Sequence, residues 1–391
     1  MRNFVLTSTS VTDGHPDKLC DRISDAIVDA YLTLDPASLL QAECAIASGI
    51  VFLAVHAQTS GHVDLPAVVR ELVEETGYSD PDFNPANLTV LSAATPAASV
   101  QQEAAVSTSG TQMAECVNAT VFGYACRHTP EMLPLSIVLA HRLAQRLSDI
   151  RLKEELPFLH PDGQVQVGVR YRGRMPEFIE GITLFTALSP QGRSVDNLSH
   201  KLQELVINPV LREIDTPLSA DALVVINPQN SISIGGPVRH AGLTGRKNDI
   251  DTYGGYSRHG GAALSGKDPS RIDRTGAYLA RYAAKNVVAS GLAQECEVQI
   301  SYAMGRHEPV SVEIDTFDSS RVPEPEILQA MRGMIDFSAH TIARTFRLAE
   351  LPKANQGRFF ARLAAFGHFG RPDLMLPWEA TDKADALKKM F

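Results

Sequence analysis

Cysteine is scarce in this chain and tryptophan nearly absent, with five Cys and one Trp in 391 residues. The cysteines (Cys20, Cys44, Cys116, Cys126, Cys296) are odd in number, scattered and never spaced C-x-x-C. That pattern excludes a disulfide framework and a cysteine zinc site, and is what a reducing cytoplasm leads one to expect. No run approaches the ~20 apolar residues of a membrane span. The N-terminus turns polar at Thr7, too soon for a secretory leader. Excess positive charge is also lacking: 36 Lys and Arg against 45 Asp and Glu leave a net charge of −9. A general nucleic-acid binder would present basic surface to phosphates, so the expected partner is a small molecule. With 44% hydrophobic and 21% charged residues the chain reads as globular, and its length predicts two or three domains.

Periodicity predicts alternating helices and strands. In residues 13–35, Leu19, Ile23, Ile27 and Tyr31 recur every fourth position behind Pro16, which suits a first helical turn. The helix therefore begins at His15 to Lys18, with its positive dipole end beside DGHPDK, a place for an anion or phosphate. Asp25 and Asp29 are expected on its wet face. Residues 41–58 read as a hairpin broken at Ser48-Gly49, with Glu43 in the first strand, either paired in an apolar setting or at an exposed edge. A second helix is expected over 64–77, capped by Gly77. Residues 93–121 have no firm period and read as a mobile lid or an interdomain linker. Beyond it come helices at 131–153 and 196–213, strands turning at Arg172-Gly173, and a buried strand at 222–228. A helix at 275–290 stopped by Gly291, strands at 296–304 and 309–317, and a helix near 325–335 complete the order. FGHFG (366–370) and Trp378 are expected in the core.

The stretch 235–273 stands apart. Nine of the chain's 27 glycines fall in these 39 residues, interleaved with Arg239, Arg246, Lys247, Arg258, Lys267 and Arg271. Glycine lets successive N–H groups approach an anion while fixed cations neutralise it, which suits a polyphosphate; the plain alternative is a solvated basic loop. Gly261 to Lys267 fits G-x-x-x-x-G-K, but Asp268 stands where a P-loop needs Ser or Thr for magnesium, and no strand directly precedes it. Asp17 and Asp273 are candidate magnesium ligands.

Ten unusual pieces stand in order along nearly the whole chain: TSTSVTDGHPDK (7–18), IGGP (234–237), GLTGRK (242–247), DTYGG (251–255), HGG (259–261), SGKDPSRIDR (265–274), YLARYAAKN (278–286), QISYAMG (299–305), FGHFGR (366–371) and PWE (377–379). By these the chain resembles the methionine adenosyltransferases, or S-adenosylmethionine synthetases. The resemblance implies an α+β fold of three similar sheet-plus-helix domains in pseudo-threefold arrangement, expected at 1–102, 113–233 and 234–391. It implies a homodimer or tetramer with active sites between subunits, two magnesium ions and one potassium. The implied reaction is attack of methionine sulfur on C5′ of ATP, with triphosphate leaving and then cleaved to pyrophosphate and phosphate. By resemblance His15, Lys267 and Arg246 would be catalytic, His15 at the ester oxygen that leaves. Lys18, Asp162, Gln164, Ile232, Lys247, Ala263 and Arg271 would join them around ATP and its triphosphate. Asp17 and Asp273 would hold magnesium, and Glu43 the potassium.

The acceptor half departs from the family pattern. His56, Val117 and His240 stand where the resemblance implies carboxylates, Ala97 where it implies the lid glutamine, Gln164 where it implies lysine, and Ile232 where it implies an aromatic. An ammonium with no facing acid is desolvated without a counter-charge. Three readings are therefore open: a methionine adenosyltransferase with a rebuilt pocket, adenosyl transfer to a nucleophile lacking an α-ammonium, and a weakly catalytic nucleotide-binding regulatory paralogue.

Overall fold

The computed structural model describes residues 3–96, 117–189, 192, 195–227, 235–339 and 341–391. Ala97, Ile232 and most of the expected lid or linker lie outside the described residues. Strand β1 (Asn3–Val11) leads into helix α1 (Pro16–Leu34), the hairpin β2 (Leu39–Ala47) and β3 (Ile50–Gln58), helix α2 (Leu65–Thr76) and strand β4 (Thr89–Pro96). Then come β5 (Ala119–Cys126), α3 (Leu135–Leu152), the hairpin β6 (Leu159–Arg172) and β7 (Met175–Leu188), and β8 (Leu218–Ile226). The last part holds β9 (Gly242–Leu243), α4 (Ile272–Ser290), β10 (Glu295–Tyr302), β11 (Ser311–Asp315) and α5 (Glu324–Arg332), with shorter helical turns between.

Among the described residues the strands make three sheets, ordered β4-β3-β2-β9, β1-β6-β7-β8 and β11-β10-β5. One long helix covers a face of each: α1 the first, α3 the second, α4 the third. This is the α+β sheet-plus-helix plan. In the first sheet, alternation turns Leu40, Ala42, Cys44 and Ile46 of β2 and Val51, Leu53 and Val55 of β3 inward, into one core with Leu19, Ile23 and Ile27 of α1. Each sheet draws on distant sequence. Strand β1 pairs antiparallel with β6 from Asn3↔Arg172 to Val11↔Gln164, β5 pairs with β10, and β9 adds to β2 at Ala45↔Leu243.

Several expectations need correction. Asp25 and Asp29 are fully buried, not wet, because backbone N–H groups from far along the chain meet them. The 222–228 strand is the edge strand β8, with Leu223 exposed, since only β7 flanks it. The 196–213 helix is broken by a π turn at Gln203–Ile207, just before Pro209, whose ring nitrogen has no hydrogen to donate to the preceding turn. Trp378 is a core residue as expected: fully buried, it stacks on Tyr278 at 3.9 Å, and its Nε1 donates to the His368 carbonyl at 3.0 Å.

Candidate active site

Helix α1 builds the site from one face. His15 is its N-cap, with Nδ1 accepting from the Asp17 N–H at 3.2 Å, and Pro16 occupies the first turn. Asp17, Asp21, Asp25 and Asp29 follow at a spacing of four, one per turn, on a stripe that the Gly-rich stretch and the C-terminal segment cover. Asp17 accepts Leu243 N–H (3.0 Å), Asp21 accepts Gly245 N–H (2.8 Å) and Asp25 accepts Gly266 N–H (2.8 Å). Asp29 accepts Phe360 and Ala361 N–H, each at 2.9 Å. The approach is close enough to demand glycine. A Cβ on Gly242 would lie 2.2 Å from the Pro16 carbonyl oxygen, and one on Gly266, whose φ is +77°, 2.0 Å from that of Ala42.

Two of these carboxylates gain buried cations. Lys18 is turned fully inward, donating to Asp21 at 2.9 Å and also to Asp251. Arg274 donates to Asp25 at 2.7 Å, with both side chains out of water. Lys18 is thus held inside the scaffold, enclosed between Asp21 and Asp251. Asp29 has only backbone donors in contact, and burial pushes its carboxyl up to about 8.

The ladder folds two stretches of basic loop together. Gly245 sits where a Cβ would meet the Ala263 Cβ at 2.5 Å, and Asn248 Nδ2 donates to the Gly261 carbonyl at 2.8 Å. Lys267 forms a bridge with Gln41 at the edge of β2. The loop therefore sets Arg246, Lys247 and Lys267 along one side of α1 and β2. Lys247 Nζ lies 2.6 Å from Asp17 Oδ2, and Lys267 Nζ 2.6 Å from Asp273 Oδ2. Arg246, more exposed, is 3.9 Å from Asp17 Oδ1. Arg271 caps α4, and its buried Nε has no hydrogen-bond partner. Burial works to raise the Asp17 pKa, but the hydrogen bonds from Lys247 and Leu243 and the lysine's charge leave it lowered. Asp17 is thus an ionised oxygen donor, and each candidate magnesium carboxylate, Asp17 and Asp273, is faced by a lysine.

A second group lies at the mouth of α1. Asp162, at the start of β6, accepts Gly236 N–H at 2.8 Å and lies 2.9 Å from His240 Nε2. The His15 and His240 rings are 5.1 Å apart between centroids. Burial lowers the His15 pKa to about 4, and the neighbouring Lys247 adds to this, so the ring is neutral and its proton rests on Nε2. The hydrogen bond to Asp162 raises His240 against the effect of its partial burial.

Other sequence-predicted residues are not gathered here. Glu43 lies on the outward, exposed face of β2, its Oε1 accepting from Gln41 at 2.9 Å. His56 is exposed on β3, in register with Gln41, and meets Thr95 at 2.5 Å. Gln164 is exposed on β6, and Val117 is half-buried just before β5. Sequence reading missed Asp21, Asp25, Asp251 and Arg274, although the aspartate spacing of four was a visible signal of a helical stripe.

Arg246, Lys247 and Lys267 set beside Asp17 and Asp273, on a scaffold of three helix-backed sheets, make an α+β protein with a charge arrangement suited to a phosphate chain. Three family models match the chain in sequence order: "S-adenosylmethionine synthetase, N-terminal domain" over residues 3–109, the central domain over 116–232 and the C-terminal domain over 234–380. The chain is similar to the S-adenosylmethionine synthase of Rippkaea orientalis (strain PCC 8801 / RF-1), 42% identical over all of this chain and 97% of that protein. It is likewise similar to the S-adenosylmethionine synthases of Acaryochloris marina (42% identical over 99% of this chain and 97% of that protein) and Synechocystis sp. (41% over 100% and 96%). The chain belongs to the S-adenosylmethionine synthetase family.

Proposed function

We propose that this enzyme transfers the adenosyl group of ATP to the sulfur of methionine, giving S-adenosylmethionine with pyrophosphate and phosphate. The observation that carries the reading is the pair of contacts Lys247–Asp17 and Lys267–Asp273, 2.6 Å each, in a chain of this family. A triphosphate leaves with up to four negative charges, so cations already in place are the principal catalytic device. Lys247 and Lys267 exchange their carboxylate partners for phosphate oxygens; Arg246 and Arg271 bind them bidentately. His15, with Nδ1 engaged by the backbone, presents Nε2–H to the ester oxygen that departs. Asp162 and Gly236 fix the nucleoside side of the same mouth.

Asp17 and Asp273 offer hard oxygen donors, which suits magnesium with water and phosphate filling the rest of its shell. Magnesium held there would neutralise and orient phosphate oxygens. Glu43 would supply the protein oxygen for potassium. The sequence division at 1–102, 113–233 and 234–391 is kept as a proposal about domains, and a cytoplasmic setting is supported by Cys20, Cys44, Cys126 and Cys296 all being free.

Two copies meeting through the outward face of the first sheet form the working dimer, alone or paired into a tetramer. A row of apolar residues crosses that sheet in register, Leu91↔Phe52↔Ala45↔Leu243, with Leu91 51%, Phe52 47% and Leu243 43% exposed. Glu43 and His56 stand on the same face, so a partner seated there would enclose them and complete a site shared between subunits. No helix among the described residues is long and apolar enough to cross a membrane. The test is to supply ATP, magnesium, potassium and methionine and weigh the product. The S-adenosylmethionine mass supports the proposal, and ATP cleavage with no sulfonium product overturns methionine as the acceptor.

A further inference from the structure

We propose that His15, Asp162 and His240 form a binding site for a first-row transition-metal ion of the zinc class, separate from the magnesium carboxylates. One donor atom from each of the three lies within 4.8 Å of the others. They come from three different elements, the α1 N-cap, the start of β6 and the turn before β9. The carboxylate is anchored by Gly236 N–H, and the His15 and Asp162 side chains are 11% and 5% exposed, while His240 is 41% exposed and stands at the entrance.

The donor set decides the class of ion. Two imidazoles and one carboxylate suit Zn2+, Co2+, Ni2+ or Cu2+, whereas magnesium takes oxygen ligands. The resemblance implies an aspartate at position 240, so the second nitrogen belongs to this chain and not to the pattern it shares. Zinc–donor bonds of ~2.0 to 2.1 Å at tetrahedral angles set donors about 3.3 Å apart. The His240–Asp162 pair, now at 2.9 Å, needs to open only slightly. The other donor pairs lie within 4.8 Å, and His240, the exposed member, is free to adjust. Three protein ligands leave a position for water. An ion here would occupy the His15 nitrogen that the proposed adenosyl transfer uses as a donor, so it would inhibit; this consequence, unlike the site itself, rests on that proposal.

The test uses the full chain, freed of metal by a chelator and held in millimolar magnesium without nucleotide. Cobalt(II) is added while visible absorption is followed. Expected are d–d bands of low-coordinate intensity that saturate at one ion per chain and vanish on adding Zn2+. His240→Asn and His240→Asp should each weaken cobalt binding at least 10-fold, with unchanged melting temperature establishing that both still fold. Lys267→Ala, outside the cluster, should keep the bands. Absence of the bands, or equal affinity in the His240 variants, overturns the site. Inhibition by Zn2+, scored against each protein's own zinc-free rate, should need at least 10-fold more ion in His240→Asn; equal sensitivity overturns the overlap with the nucleotide site.

Discussion

Lys267 shows what a single residue contributes. Its ammonium lies against Asp273 at 2.6 Å, and its backbone is fixed by a bridge to Gln41, so the charge is aimed before any ligand arrives. Removing one preorganised donor of this kind costs about 3 to 4 kcal/mol of transition-state stabilisation. Lys267→Ala is expected to lower kcat by 100-fold or more while the melting temperature stays close to that of the parent, because the side chain serves a site and not the core. Steady-state rates with ATP and methionine check this, and near-parental kcat would remove Lys267 from the triphosphate set. Lys18, adjacent to Asp17, the other candidate magnesium ligand, has the opposite character. Fully enclosed between Asp21 and Asp251, it neutralises scaffold charge. Residue type and motif could not separate these two lysines, because what divides them is Asp251, more than 200 positions away and silent in the sequence as a partner.

At the scale of the element, α1 organises the site. Its apolar stripe was legible, since Leu19, Ile23, Ile27 and Tyr31 at a spacing of four are all buried. Charge alone assigns Asp25 and Asp29 to water, and that assignment fails because an aspartate stripe can equally be buried when another segment supplies N–H donors at each turn. The donors here are Leu243, Gly245, Gly266, Phe360 and Ala361, and periodicity within α1 carries no trace of them. Asp29 gives the ladder a pH signature. An unfolded aspartate loses its proton near ~3.9, while folded Asp29 keeps it up to about 8. Between those values the folded state binds more protons, so the contribution of Asp29 is present at low pH and is lost as pH rises through about 8. The stability of the parent relative to Asp29→Asn should therefore decline from pH 5 to pH 8. Denaturant melts of both proteins across that window test it, and a constant difference would contradict the buried, proton-holding carboxyl.

At the scale of the whole molecule, three helix-backed sheets exchange strands across the sequence. With β1 in the second sheet, β5 in the third and β9 in the first, no third of the chain closes its own sheet. The number of sheet-plus-helix units was legible from the resemblance, whereas the exchange was not. Pairing partners are chosen by register and packing across a hundred or more residues, and strand patterns state only which face is apolar. The same limit applies to the outward face of the first sheet, whose apolar row emerges only when β4, β3, β2 and β9 stand in register. Phe52→Glu places a charge in that row and is expected to turn the proposed dimer into monomer, with loss of activity, by light scattering after gel filtration. A dimer that persists unchanged would move the interface elsewhere.

The central claim is that the cations set along α1 release triphosphate from ATP as methionine sulfur takes the adenosyl group. Its most direct measurement is the mass and stoichiometry of products from ATP, methionine, magnesium and potassium, run beside Lys267→Ala. One S-adenosylmethionine is expected for each pyrophosphate and phosphate released, and neither above background in the variant. Triphosphate products without S-adenosylmethionine, or full product formation by the variant, would contradict it.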